Sequence, residues 1–396
     1  MRCLYVVPNS PISPNYSGGG SSIFYEQLVS LTRIGVKVSL WHFCYESRSD
    51  DFESFVSTDI ATWQRVQAMC ERIHRTVLPD KPGLADRAKN KVANMLTGFH
   101  VENPSLRGTL LRKFKELARD VEPDFVWAQH LPSASVAVQQ AKVPVVYSHH
   151  DWLYKVKGLN GNTAWGQRSK KTEEEVVRRA SAVVSGSYVE CDQLREVGSS
   201  NVHYIPVAYE TVQPSEKDSG AAPRLVHLGG LGTTANRIGL ERFFDVVWPN
   251  IKIDRSNMLV VGDMTLASDK MKRHLQQVTS TGYVEDLSRV IRAHDVHIIP
   301  WEHDTGQRTR LVLAFNYCQA VVAIRKSVSC YPEAVDGENC ILVDSLEDMA
   351  SAIHRLLFDD DLRRRLGENA RKTFEASFTR KVLLPKYEKV IESVVR

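Results

Sequence analysis

The chain has 396 residues, 43% apolar and 25% charged, with a formal net charge of +4. At roughly 100–200 residues per domain this is two domains, three at most. The composition excludes collagen-like, low-complexity and disulfide-stapled classes. No apolar run reaches the roughly 18–20 residues of a bilayer span, and so small a charge gives no argument for nucleic acid.

Met1–Pro8 lacks a basic region, an apolar stretch and a cleavage site in sequence, so no signal peptide is expected there. The seven cysteines, at 3, 44, 70, 191, 318, 330 and 340, show no metal-ligand spacing. That fits a reducing compartment, and a cytoplasmic location is expected, with the thiols acting as small hydrophobes.

In chain order, Met1–Pro8 (MRCLYVVP) reads as a buried parallel strand. A loop follows, ending in Gly18-Gly19-Gly20-Ser21-Ser22. Ile23–Ile34 carries apolar residues at helical spacing, at Ile23, Phe24, Leu28, Leu31 and Ile34, and Gly35 stands at the C-cap. Val36–Phe43 is a second strand, completing a βαβ unit and implying a parallel sheet. Glu46–Arg119 reads as mostly helical and polar. Strands follow at Asp124–Gln129, Val143–His149, Ala182–Gly186 and Val202–Pro206, with a charged helix over Glu173–Arg179. Thr211–Pro223, rich in Pro, Ser and Gly, reads as a linker.

The pattern then restarts. Strands are expected at Arg224–Leu228, Met258–Val261, Val296–Pro300, Ala320–Ile324 and Cys340–Val343. A glycine-rich turn lies at Gly229–Gly232. Helices are expected at Ile238–Val247, Arg310–Tyr317, Leu346–Leu357, Asp361–Ala376 and about Val382–Val395. The fold class is therefore α/β, with two Rossmann-like, doubly wound parallel-sheet domains. Residues 1–208 and 209–380 form the domains, and 381–396 a C-terminal helix.

A glycine loop between strand and helix leaves backbone N–H groups at the positive helix end, where an anion is stabilised. Gly18–Gly20 and Gly229–Gly232 both fit, either as anion sites or as tight turns. Neither matches the dinucleotide or the phosphate-loop fingerprint. Gly306-Gln307-Arg308-Thr309-Arg310 precedes a helix start. It reads either as a diphosphate clamp built on an arginine fork or as a solvated helix end.

In this ordered set the chain resembles the retaining, family-4-like GT-B glycosyltransferases over nearly its whole length. The resemblance rests on the opening strand, glycine loop and helix, on His149-His150-Asp151, and on Ser181–Ser187 with Leu194. It continues with Gly229–Gly232, Asn236 and Phe243–Pro249, then Val260-Val261-Gly262, Gly282–Leu287, His294–Val296 with Pro300, Gly306–Ala314 and Val321–Ala323. It departs in three places, the first being the basic pair after the second-domain glycine loop, which is reduced to Arg237. The family's Glu-x7-Glu pair falls at Thr305 and Leu313, and its "Ala-x-Gly-x-Pro-Val" reads Asn316-Tyr317-Cys318-Gln319-Ala320-Val321.

The resemblance implies an N-terminal acceptor domain and a C-terminal donor domain facing an interdomain cleft. The last helix would cross back to the first domain. The donor would be a nucleoside diphosphate sugar of UDP or GDP type, held by Gly19, Gly20, Gly229, Gly230, Arg237, Gly262, Tyr283, Val284, Gly306, Gln307 and Thr309. Arg308 and Arg310 would neutralise the leaving diphosphate. His150 would orient a sugar hydroxyl or the acceptor; its other reading is a hydrogen-bonded structural histidine. Asp304, beside a lost glutamate position, either contacts the sugar or starts a turn. No Asp-x-Asp reads as the metal site of the metal-dependent transferases, so neither metal nor cofactor is expected.

Leu106, Leu110, Phe114 and Leu117 share a helical face set among basic residues, and Lys81, Arg87, Lys89 and Lys91 lie upstream. Residues 81–119 therefore suit either peripheral contact with an anionic membrane or a core face. The function expected is sugar transfer to a glycan, lipid-linked or small-molecule acceptor. The alternatives are a catalytically degenerate GT-B scaffold and a sugar-nucleotide 2-epimerase.

Overall fold

A computed structural model of the chain describes residues 1–14, 19–81, 83–97, 99, 107–159, 163–213 and 222–395. Gly18, Leu106 and most of the expected linker lie outside the described residues. The chain forms two compact units: unit 1 is Met1–Pro14, Gly20–Ile205 and Leu384–Arg396, and unit 2 is Asn15–Gly19 and Pro206–Leu383.

Unit 1 contains strands β1 (Arg2–Pro8), β2 (Lys37–Tyr45), β3 (Cys70–Leu78), β4 (Phe125–Gln129), β5 (Val145–His149), β6 (Ala182–Ser185) and β7 (Val202–Tyr204). They pair in parallel in the order β3-β2-β1-β4-β5-β6-β7. Unit 2 contains β8 (Leu225–Leu228), β9 (Met258–Val261), β10 (Thr279–Gly282), β11 (Val296–Ile299), β12 (Ala320–Ile324) and β13 (Ile341–Val343). These are also parallel, in the order β10-β9-β8-β11-β12-β13.

Each unit therefore starts in the middle of its sheet and winds outward twice. The winding reverses between β1 and β4 in unit 1 and between β8 and β11 in unit 2. At such a switch point the loops leave the strands' carboxyl ends in opposite directions and open a crevice for ligand.

Strands covered on both faces must be apolar throughout. β1 is buried except at Arg2, and all five residues of β12 are buried. In unit 1 Trp41, Phe43, Phe114, Tyr147 and Trp152 join one core cluster. In unit 2 Phe243, Phe244, Ile298, Val322 and Leu356 join another. Each such side chain contributes roughly 1.5–3 kcal/mol on burial. From Leu384 onward the last helix (Arg380–Val394) packs within unit 1. Its Tyr387 ring lies 5.9 Å from Trp127, and Asn201 Nδ2 donates to Ser393 Oγ at 3.0 Å.

Three local expectations change. β3 lies inside the stretch read as helical; CERIHRTVL is half-exposed, so its polarity hides a strand that pairs along the whole of β2. β10 is an exposed edge strand of small polar residues with no apolar signal. The helix expected at Ile238–Val247 runs instead over Thr234–Arg242, capped by Thr233 Oγ on Asn236 N–H, and passes into a π-helical turn at Phe243–Val247.

Candidate active site

The glycine turns of unit 2 pack backbone against backbone. A β-carbon on Gly262 would lie 2.5 Å from Gly230 N, and Gly262 itself has φ 141°. Only glycine permits that approach. Gly229 N–H donates to Val261 O and Leu231 N–H to Asp263 O, both at 2.8 Å, and Gly262 N–H donates to Gly282 O at 2.8 Å. These three amides, two of them in the turn Gly229–Gly232 and the third at Gly262, are therefore used within the protein.

The charge is supplied by the β11 side of the switch point. Arg308 stands at the N-cap of the helix Thr309–Asn316, and Arg310 lies in its first turn. Both are more than nine-tenths buried. Arg310 reaches across to the end of β8: Nη1 donates to Leu228 O at 3.2 Å, and Nη2 to Asn236 Oδ1 at 2.5 Å. Arg308 Nη2 donates to Thr305 O, and its Nε has no partner. Among the described residues, no acidic side chain pairs with either arginine. Burial, and then the charge of Arg308, pull the Arg310 guanidinium down to about 9. His227 and His297 beside it are also held in the neutral form, mainly by burial and then by the Arg310 charge; His297 falls to about 3. Two cations thus sit at the positive end of a helix, where each costs about 0.3–1 kcal/mol from the macrodipole alone.

The other unit 2 candidates divide. Gly306, with φ 60°, makes the turn before Arg308. Gln307 Oε1 accepts from Val207 N–H at 3.3 Å, which ties it to the polypeptide. Thr309 and Asp304 are half-buried beside the arginines, as is Arg237 in the helix after the glycine turn. Val284 packs on the cluster of Val226, Leu228 and Tyr317, whereas Tyr283 is half exposed. The former glutamate positions hold buried Thr305 and half-buried Leu313.

In unit 1 the switch point gathers histidines. Gly20, in the first turn of the helix Gly19–Arg33, stands beside His130: a β-carbon there would lie 3.4 Å from His130 Nε2. His130 follows β4 with φ 59°, and its ring stacks on His150 at 4.0 Å. His150 Nε2 lies 2.8 Å from Gln129 Oε1, so that nitrogen carries the hydrogen and Nδ1 is left as an acceptor. The other end of the Gln129 amide donates to Tyr5 OH and Gln27 Oε1, at 2.6 and 2.7 Å. Burial, then the neighbouring His130 and His149, hold His150 neutral, well below the usual histidine range.

Behind it, His149 Nδ1 lies 3.4 Å from Oε2 of fully buried Glu190. Glu173 accepts the Leu153 and Tyr154 N–H groups, at 2.7 and 3.4 Å. Those bonds favour its anion, but burial outweighs them and pushes its carboxyl up to about 8.

Sequence reasoning passed over Gln129, His227 and Asn236's bonds. The available signal was a polar residue inside an otherwise apolar strand, as in FVWAQ and LVHL. The helical face of Leu110, Phe114 and Leu117 is core, whereas the preceding helix (Leu84–Thr97) points Leu84, Val92 and Met95 outward, 82%, 56% and 80% exposed. Among the described residues no helix is long and apolar enough to cross a membrane.

Two family models match the chain: a "Glycosyl transferase 4-like domain" over residues 18–209 and "Glycosyl transferases group 1" over residues 222–359. No curated protein sequence matches. Among solved structures, a sucrose-phosphate synthase from Thermosynechococcus elongatus superposes with a TM-score of 0.73 at 17% identity, covering 99% of this chain and 98% of that one. HepE of Anabaena, solved with UDP and glucose, gives 0.67 at 17% identity over 99% and 100%. TarM gives 0.69 at 11% identity over 98% of each chain. These likenesses carry the two-sheet GT-B fold.

Proposed function

The chain is a glycosyltransferase of GT-B fold, and we propose that it moves a sugar from a nucleoside diphosphate sugar, of UDP or GDP type, to a glycan, lipid-linked or small-molecule acceptor, with retention and without a metal. One observation carries this reading: Arg308 and Arg310 are buried at a helix start with no acidic partner among the described residues. A diphosphate supplies the missing anion. When the bond from the anomeric carbon to the β-phosphate oxygen breaks, its electron pair stays on that oxygen. The guanidinium N–H groups stabilise the charge that develops there. The acceptor hydroxyl bonds to the anomeric carbon, and the departing diphosphate takes up its proton. In unit 1 neutral His150 offers Nδ1 as acceptor for a substrate hydroxyl. The structural likeness to a protein holding UDP and glucose supports the donor class.

Calorimetry with UDP and GDP, followed by turnover of the matching nucleotide sugars in EDTA, tests the proposal. Binding of at least one nucleotide and metal-free release of it are expected. Absence of nucleotide binding would favour an inert scaffold, which the loss of both glutamates at Thr305 and Leu313 would then explain. Loss of turnover in EDTA, restored by manganese, would overturn the metal-free step.

A lipid-linked acceptor is favoured by the outward stripe of Leu84, Val92 and Met95, flanked by exposed Arg87, Lys89 and Lys91. Apolar residues bordered by lysine and arginine suit an anionic lipid surface. Co-sedimentation with phosphatidylglycerol vesicles should fall on Leu84→Asp/Met95→Asp. Equal sedimentation of both proteins, or of neither, would remove this reading.

A further inference from the structure

Asn236 bridges the two halves of the unit 2 switch point. It lies in the first turn of the helix Thr234–Arg242, and its backbone N–H is already satisfied by Thr233 Oγ. Its side chain is therefore free to reach out of the helix. Nδ2 donates to Gly230 O at 2.8 Å, and Oδ1 accepts from Arg310 Nη2 at 2.5 Å. One planar amide thus binds the glycine turn on one side and a buried guanidinium on the other. The space on the glycine side is filled: a β-carbon on Gly229 would overlap the Asn236 amide. A neutral amide is the suitable group for this place. An apolar residue would leave Arg310 with one fewer partner, and a carboxylate would pair with Arg310 and quench the positive charge. The other contacts of Arg310, Leu228 O and the neutral His227 ring, leave that charge uncompensated.

We propose that Asn236 is a positioning residue for the diphosphate, fixing Arg310 to the glycine turn so that its charge is oriented yet unspent until the anion binds. This rests on the diphosphate reading above and adds to it the group that keeps the arginine available.

The test compares full-length wild type with Asn236→Asp, Asn236→Ala and Gly229→Ala, by nucleotide calorimetry and by thermal melting without nucleotide. Asn236→Asp should melt close to wild type, because pairing of the new carboxylate with the buried cation offsets the lost donation to Gly230 O. Its affinity for UDP or GDP should nevertheless fall by about 10- to 100-fold, the cost of displacing an oriented group. A purely structural asparagine would lower stability and affinity together, or neither. Asn236→Ala should lose affinity with KM rising and kcat falling, and Gly229→Ala, which pushes on the same amide, should do likewise.

The melting readout also runs in the Arg310→Met background, where Asn236→Asp should now destabilise. If wild type binds nucleotide and Asn236→Asp binds within about threefold of it, less than 1 kcal/mol, the positioning role is wrong. If wild type binds no nucleotide but Asn236→Asp destabilises only in the Arg310→Met background, the diphosphate reading falls and the Asn236–Arg310 link stands. If that dependence on background is absent, the link itself falls.

Discussion

A β-carbon on Gly367 would overlap the carbonyl oxygen of Cys318. The helix Asp360–Ser377 thus crosses directly over the turn that leads into β12. Cys318 itself has φ 57°, a left-handed conformation held by a non-glycine residue. It occupies the place where the resembled family's pattern has glycine. Gly367→Ala should destabilise unit 2 by about 1–3 kcal/mol despite alanine's better helix propensity, since overpacking against backbone cannot relax by side-chain rotation. Cys318→Gly should act oppositely, gaining up to about 1 kcal/mol as left-handed strain is relieved and unfolded-state entropy takes part of it back. Thermal melts of both variants check the pair; a stabilised Gly367→Ala would contradict the crossing.

Arg308 and Arg310 should matter more to turnover than to binding. If either meets the β-phosphate, its contact tightens as the glycosidic bond breaks, so replacement by Ala should lower kcat more than it raises KM. The expected loss is about 100–1000-fold for the contacting residue. Lysine should restore only part, because a point charge lacks the fork. Steady-state kinetics decide. Both Ala variants within about threefold of wild type, roughly 0.6 kcal/mol, would place the phosphates elsewhere.

The same burial makes Arg310 costly to the empty protein. Its guanidinium is held down to about 9 by desolvation and by Arg308, so the folded state disfavours a charge that the unfolded chain tolerates. Replacing an unpaired buried charge by an apolar side chain of similar volume is often neutral or stabilising. Arg310→Met should therefore melt at or above the wild-type temperature without nucleotide, with a smaller nucleotide-induced rise than wild type. A large fall in melting temperature would mean that the arginine is structural.

Glu173 should give unit 1 a pH signature. Its folded value of about 8 exceeds its ordinary 4.5, so its contribution favours folding below about 4.5 and fades as pH rises toward 8. Glu173→Gln lacks this titration. Relative to wild type it should gain stability between pH 5 and 8, on the order of 3–4 kcal/mol, or about 7–14 °C in melting temperature. A constant difference across that range would count against the buried protonated carboxyl.

Much of this architecture was legible because buried parallel strands announce themselves. LYVV, MLVV and AVVAI have no other stable home than a sheet covered on both faces. β3 and β10 were illegible for the converse reason: edge strands expose their side chains, and CERIHRTVL and TSTG carry no apolar period. In the candidate site, Arg308 and Arg310 could be read from their position before a helix. The role of the glycines could not. Whether Gly229 presents its N–H outward or gives it to Val261 depends on how the turn after β9 packs, a contact with no trace in local sequence. The bonds of Asn236 to Gly230 and Arg310 were hidden likewise, the latter spanning 74 positions.

The last helix gives unit 1 an unusual birth order. Its sheet is complete in sequence by Tyr204, but the helix face that meets Trp127 begins only at Leu384. Between them the ribosome must make all of Pro206–Leu383, which takes roughly 10–40 s at ordinary elongation rates. During that interval the nascent first unit holds Trp127 and its neighbours without the Tyr387 ring, so chaperone engagement is expected to concentrate there and to fade once Tyr387 has emerged.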